Sequence, residues 1–253
     1  AAQSLNALLR DYGLHSTRQL LQHFLSKRGE WWAYTRGESD PIAAALNRLQ
    51  GELQLKPEQA VLESLFAQRD LIADLERFAE LLEKNQTQTD LNHAALLRLC
   101  FTHADLGARF EHLCGAFFTQ AGSRFVRATS SARAKRLGDL DSEYTRLHEA
   151  ICARLEAARD TLIEQQAWIF NQHALVCGVA LLNHFQALKT HRGVVDFTDV
   201  EYGAERLIGD SEHAAYMQYK LDARYRHILL DEFQETNPVQ WQILRHWFDA
   251  ASA

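Results

Sequence analysis

The chain has 253 residues, of which 47% are hydrophobic and 24% charged, and it carries a formal net charge of −6. That composition suits one large or two small globular domains with ample core, and it excludes a strongly basic protein that coats nucleic acid, so any such contact must come from a local patch. No apolar run approaches the roughly 20 residues of a membrane span, and the start, Ala1-Ala2-Gln3, has no signal-peptide pattern, so a cytoplasmic protein with no membrane partner is expected. The missing Met reads as a piece of a longer protein. With only 3 Pro and 12 Gly the chain favours long helices over a turn-rich strand fold. Its 4 Cys form no CxxC pair and read as reduced thiols rather than a zinc or iron–sulfur site.

The first hundred residues read as short helices, with amphipathic stretches at 3–10 and 17–25. Trp31, Trp32 and Tyr34 form an aromatic cluster before a break from Gly37 to Pro41. They are either helix-packing aromatics or a base-stacking platform. From Pro57 to Lys84 the spacing predicts one helix, with Leu65, Ile72, Leu75, Ala79 and Leu82 on one face. Residues 85–90 are polar and read as a loop, and a further helix is expected from about Leu91 to Thr119.

Residues 120–140 carry Arg124, Arg127, Arg133, Lys135 and Arg136 with no acid before Asp139. Such a segment can grip phosphates, or it can be a solvated basic loop. From Ser142 to Thr190 there is no Pro and a single Gly. Tyr144, Leu147, Ile151, Leu155, Ala158 and Leu162 step by three and four, which predicts one very long helix or two nearly collinear ones. An arm-like helical domain and a coiled-coil partner both fit such a run.

Gly193 ends that pattern. Thr198 and Glu201 have capping-box spacing, and a helix burying Val200, Ala204, Leu207 and Ile208 is expected to follow. Gly209-Asp210-Ser211 ends it and opens a short helix to about Asp222. Tyr225 to Leu230 is β-prone, and Ile228-Leu229-Leu230 suits a strand buried on both faces. Asn237 then caps a last helix, with Pro238 at its first position and Gln240 closing the box; its apolar face holds Trp241, Leu244 and Phe248.

The strand is followed by two consecutive acids, Asp231 and Glu232. Ligands of open parallel sheets bind beyond the carboxyl ends of strands. One carboxylate there can hold a magnesium ion through its water shell, and its neighbour can orient and deprotonate a water. A pair of acids favoured by a helix N-terminus is the bland alternative. A magnesium nuclease would need further converging acids, and no matching set stands out.

The stretch from His227 to Gln240, HILLDEFQETNPVQ, closely resembles motif II of superfamily 1 DNA helicases of the UvrD, RecB and AddA kind. Glu235 stands where that family usually has Asp. Gly193-Val194-Val195-Asp196-Phe197-Thr198-Asp199 is similar to the G-x-x-DF-x-DL segment upstream of motif II, with Val200 in place of Leu; it reads as a structural junction more than a catalytic element. Phe117-Phe118-Thr119-Gln120 with the following basic stretch is similar to the accessory domain of the RecB/AddA branch.

The resemblance implies a mainly α chain: a long-helix accessory domain, called 1B, over 1–190, then part of a RecA-like α/β motor domain, 1A, over 191–253 with one core strand. It implies ATP and Mg²⁺ as cofactors, Asp231 as a metal ligand, Glu232 as the residue activating water, and Gln234 near the γ-phosphate. It also implies 3′-to-5′ movement on DNA, a helicase–nuclease of recombinational repair, and a RecC- or AddB-like partner subunit. No Gly is followed by Lys, so there is no phosphate-cradling loop, and this chain alone is expected to be inactive as an ATPase. The competing reading is a helical DNA- or protein-binding scaffold whose motif II has lost hydrolysis.

Overall fold

The computed structural model describes residues 1–54, 60–127, 129–209, 212–225, 227 and 229–251. The described residues are mainly α. The chain opens with α1 (Ala2–Ser26), α2 (Arg28–Tyr34) and α3 (Pro41–Glu52). It continues with α4 (Val61–Phe66), α5 (Arg69–Asn85), α6 (Gln88–Thr102), α7 (Leu106–Phe117) and α8 (Ser131–Leu137). The 52-residue α9 (Asp141–Arg192) follows, then α10 (Phe197–Gly209), α11 (Ala214–Arg224) and α12 (Pro238–Ala251). Packing divides the chain into two compact units, residues 55–166 and residues 1–54 with 167–253. None of the described helices is long and apolar enough to cross a membrane.

The unit over 55–166 owns the larger core. Leu71, Leu75, Phe78 and Leu82 of α5 meet Leu97 of α6, Leu113 and Phe117 of α7, and Tyr144, Leu147, Ile151 and Leu155 of α9. The three-and-four stepping read from the sequence of α9 is the stripe that enters this core. Each fully buried Leu or Phe contributes about 1.5–3 kcal/mol of transfer free energy.

Two expected helices are each broken in two. The stretch expected to run to Lys84 is split into α4 and α5, because Gln68 is extended (ψ 102°); the expected start, Pro57, lies outside the described residues. The stretch from Leu91 is divided by a turn at His103 to Asp105, where the Asp105 carboxylate accepts from Ala108 N–H at 2.7 Å and caps α7. The polar 85–90 segment is a tight turn instead of a loop. Gln86 takes the left-handed conformation at the end of α5, and Thr87 caps α6.

A polar cluster is buried within the same unit. His148 is buried between the rings of Phe78 and Phe117, with Cys152 Sγ at 3.5 Å from its Nε2. Burial, then the charges of Arg127, Arg124 and Arg133, push its pKa down from 6.5 to about 4. His93 is held below its ordinary value by burial and by Arg127. Burial also pushes the Cys114 and Cys152 thiols up to about 11, so both are poor nucleophiles.

In the other unit α1 is interrupted at Gly13, whose φ is 77°. Phe24 lies so close to Gly178 of α9 that a Cβ there would meet its ring carbons at 2.8 Å. Trp32 stacks on Tyr202 of α10 at 4.4 Å between centroids, so it spends one face on helix packing. The core is thinner here: Leu8, Leu46, Leu182, Ile208 and Val239 are buried, but Val200 and Leu207, expected inside, are exposed. The buried face of α10 is instead made by Glu205 and Ile208.

The expected core strand over Tyr225 to Leu230 is corrected. The described residues hold no β-strand, only an isolated antiparallel bridge between Phe118 and Arg124. Leu229 is 98% exposed, the opposite of burial on both faces; Ile228 lies outside the described residues. A strand forms by pairing backbone groups with neighbours, and no other strand is described to pair with. The described residues of 191–253, expected to hold a core strand, form helices joined by turns.

The pH dependence of the 55–166 unit follows from His148. Its folded pKa lies below its unfolded one, so stability is full above pH 6.5 and falls as pH drops towards about 4. Urea midpoints measured across that window should decline with acidification, and His148→Leu should flatten the decline.

Candidate functional site

The junction after the long helix is built from charge. Gly193, at φ 63°, stops α9 in a Schellman turn, with Gly193 N–H donating to Thr190 O at 3.1 Å and Val194 N–H to Lys189 O at 3.1 Å. Asp196 then caps α10. Asp199 N–H donates to Asp196 Oδ1 at 3.2 Å and Asp196 N–H to Asp199 Oδ2 at 3.0 Å, a reciprocal box. The expected Thr198–Glu201 box is thus displaced by two residues. Lys189, only 9% exposed at its side chain, donates to Asp199 Oδ1 at 2.6 Å and Asp196 Oδ2 at 3.1 Å. Arg28 of α2 donates to Asp196, and Gln186 to Asp199 at 3.2 Å. Burial raises both carboxyl pKa values, but the bonds from Lys189 and the capping N–H groups outweigh it, holding both below the ordinary range.

Glu201 has another use. Its Oε1 accepts from Gln240 Nε2 at 2.6 Å and its Oε2 from Asn237 Nδ2 at 3.1 Å. Asn237 and Gln240 in turn close the expected capping box of α12, at 2.9 and 3.2 Å. One carboxylate of α10 therefore grips both side chains that start α12. Glu205, 1% exposed, is held by Arg36 and by His246 Nε2, the latter at 3.2 Å. Nothing local in the sequence points to these partners of Glu201 and Glu205, which lie 36 to 169 residues away.

Between these fixed points lies the acidic segment. Asp231 Oδ1 accepts from Glu232 N–H at 3.0 Å. Glu232 takes the left-handed conformation (φ 49°, ψ 43°), and its carboxylate accepts from Gln234 Nε2. Phe233 packs edge-on to Trp241 at 5.3 Å. The structure thus brings Asp231, Glu232 and Gln234 together in one exposed turn leading into α12. Among the described residues no group of three or more His, Cys, Asp or Glu gathers. Two exposed carboxylates fit a magnesium ion brought in by nucleotide phosphates and water, and do not fit an all-protein cage.

The sequence matches the UvrD/REP helicase N-terminal domain family over residues 17–252. The chain belongs to that family. It is similar to the A subunit of the ATP-dependent helicase/nuclease of Desulfitobacterium hafniense, 39% identical over 61 residues, 24% of this chain and 4% of that relative. The corresponding protein of Exiguobacterium sibiricum is 37% identical over 71 residues, 26% and 6% of the two chains, and that of Listeria monocytogenes 37% over 57 residues, 22% and 5%. The match thus spans about a twentieth of each relative's length. No solved structure matches the chain.

The five basic residues do not make one free patch. Arg127, 7% exposed at its side chain, donates to Asp90 at 2.7 Å, to Tyr144 Oη at 2.9 Å and to Ala116 O at 3.0 Å, with His93 Nδ1 at 2.7 Å. Arg133 donates to Asp141 at 2.6 Å and Thr145 at 2.8 Å. Both are inside the 55–166 unit. Arg124 is exposed but paired with Glu156 at 2.7 Å, and Arg136 donates to Asn85 at 2.7 Å. Lys135 is exposed.

The clasp at the end of α9 gives a direct prediction. Lys189→Met leaves two carboxylates short of their buried cation and should lower stability by about 3 kcal/mol in urea unfolding. Carboxyl pKa values lowered by folding contribute stability above the ordinary value of 3.8, and it is lost as pH falls further. The variant should therefore show less acid sensitivity below pH 4 than the parent chain.

Proposed function

We propose that the intact protein is an ATP-dependent DNA helicase of the AddA/RecB branch, moving 3′ to 5′ along one strand and serving recombinational repair. The observation that carries this reading is the turn Asp231 to Gln234, anchored by Glu201 through the cap of α12. In this reading residues 1–190 form the accessory domain and 191–253 part of the motor domain. The helicase/nuclease naming of its relatives favours a nuclease activity and an AddB- or RecC-like partner in the assembly.

ATP and magnesium belong to this proposal. Magnesium, when bound, neutralises phosphate oxygens during phosphoryl transfer. Asp231 would hold the ion through its waters. Glu232 would accept a proton from the attacking water, and Gln234, bonded to Glu232, would sense whether the γ-phosphate is present. Exposed apolar side chains, Leu229 just before this turn in sequence and Trp241 against its Phe233, suit the packing of a motor sheet.

In the intact protein Glu232→Gln should lower ATP turnover by about 10²-fold or more while nucleotide binding persists. Turnover at the parental rate would defeat the assignment. Polarity is read separately, by unwinding of duplexes with 3′ or 5′ overhangs.

The proposed DNA grip divides by burial. Lys135→Glu should weaken DNA binding and lower the salt slope by about one, with the melting temperature unchanged. Arg127→Met should instead lose about 3–5 kcal/mol of stability, because it strands Asp90 in the interior. DNA affinity unchanged by Lys135→Glu would remove the segment from the DNA path.

A further inference from the structure

The turn between α6 and α7 holds a feature that the helicase reading does not use. His103 caps the C-terminus of α6 and His112 sits on α7, and their Nε2 atoms face each other at 3.1 Å. The ring centroids are 4.8 Å apart. His103 is exposed and His112 half-exposed. We propose that His103 and His112 form a two-histidine site for a divalent transition-metal ion of the zinc, nickel or copper class.

Geometry supports the assignment first. An ion bonded to both nitrogens at about 2.05 Å, with the observed 3.1 Å between them, subtends an angle of about 98°. That lies between square-planar and tetrahedral values. Without an ion, one ring must donate N–H to the lone pair of the other; with one, both lone pairs are used.

The backbone is already set. His103 N–H donates to Leu99 O at 3.3 Å, ending α6, and the Asp105 carboxylate fixes the first turn of α7. The two ligands thus come from packed helices and a short capped turn, so little ordering remains for the ion to impose. Imidazole nitrogen selects zinc, nickel and copper, whereas magnesium wants oxygen. The site is therefore chemically distinct from Asp231 and Glu232. With no third His, Cys, Asp or Glu gathered among the described residues, water completes the coordination and the site stays open to an outside ligand.

Calorimetric titration of the full chain with zinc or nickel chloride tests this. The expected result is one saturable ion, an affinity at least tenfold weaker in both His103→Ala and His112→Ala, and no change in His191→Ala, which alters an exposed histidine elsewhere. Melting temperature should rise with zinc or nickel in the parent chain and not in the two site variants. Magnesium should do neither. Absence of saturable binding to the parent chain, equal affinity in the site variants, or equal response to magnesium would overturn the proposal.

Discussion

A lysine near the end of a long helix has every reason to reach for water, and Lys189 does not. Its ammonium lies between Asp196 and Asp199, which cap the next helix. A desolvated charge is tolerated only when paired and hydrogen-bonded, so this arrangement permits one geometry for the handover from α9 to α10. Arg28 joins from α2, which fixes a third helix to the same point. The acids of α10 and its cap then serve different partners in turn: Asp196 and Asp199 hold α9 and α2, Glu201 holds the start of α12, and Glu205 holds Arg36 and His246. The helix is placed by these charges together with Ile208 and the Trp32–Tyr202 stack, while Val200 stands at 58% exposure.

The 55–166 unit uses the opposite balance. Its core is apolar and continuous from α5 to α9, and buried charge enters as the cluster around Asp90 and the Arg133–Asp141 pair. Arg127 there satisfies a carboxylate, a phenol, an imidazole and a backbone carbonyl at once. It ties its own position to α6 through Asp90 and His93, while Arg133 ties α8 to the start of α9 through Asp141. Basic residues that looked alike in sequence therefore separate into interior and surface groups, and only the surface group is available to a phosphate.

Much of this was legible from residue spacing. The stripe of α9 is the core stripe, because a 3.6-residue period over twenty positions leaves no other face to bury. The Asn237-Pro238 start of α12 was legible because its partners are three residues apart. The cap of α10 was misread between two boxes of equal spacing, Thr198 with Glu201 and Asp196 with Asp199; what decides between them is Lys189, which sequence spacing cannot place. The partners of Arg127 lie 11 to 37 residues away, and those of Glu201 36 and 39 away. Such pairs are set by packing, so a local reading sees only unpaired charge.

The missing strand follows from the same distinction. Ile228-Leu229-Leu230 is written as a segment to be covered on both faces, and Leu229 stands 98% exposed. Phe197 at 90% exposure, Val195 and Trp241 are also uncovered, although Lys189, Asp196, Asp199 and Glu201, which bind α10 to α9 and α12, are hydrogen-bonded. Hydrogen bonds and ion pairs close on local partners within a helix or two. Apolar side chains of a sheet strand close only on another layer, and the described residues supply none. Hydrogen bonds therefore hold the turn of Asp231 and Glu232 and the cap of α12 among the described residues, whereas Leu229 and Leu230 are side chains whose burial the sequence specifies and these helices leave open.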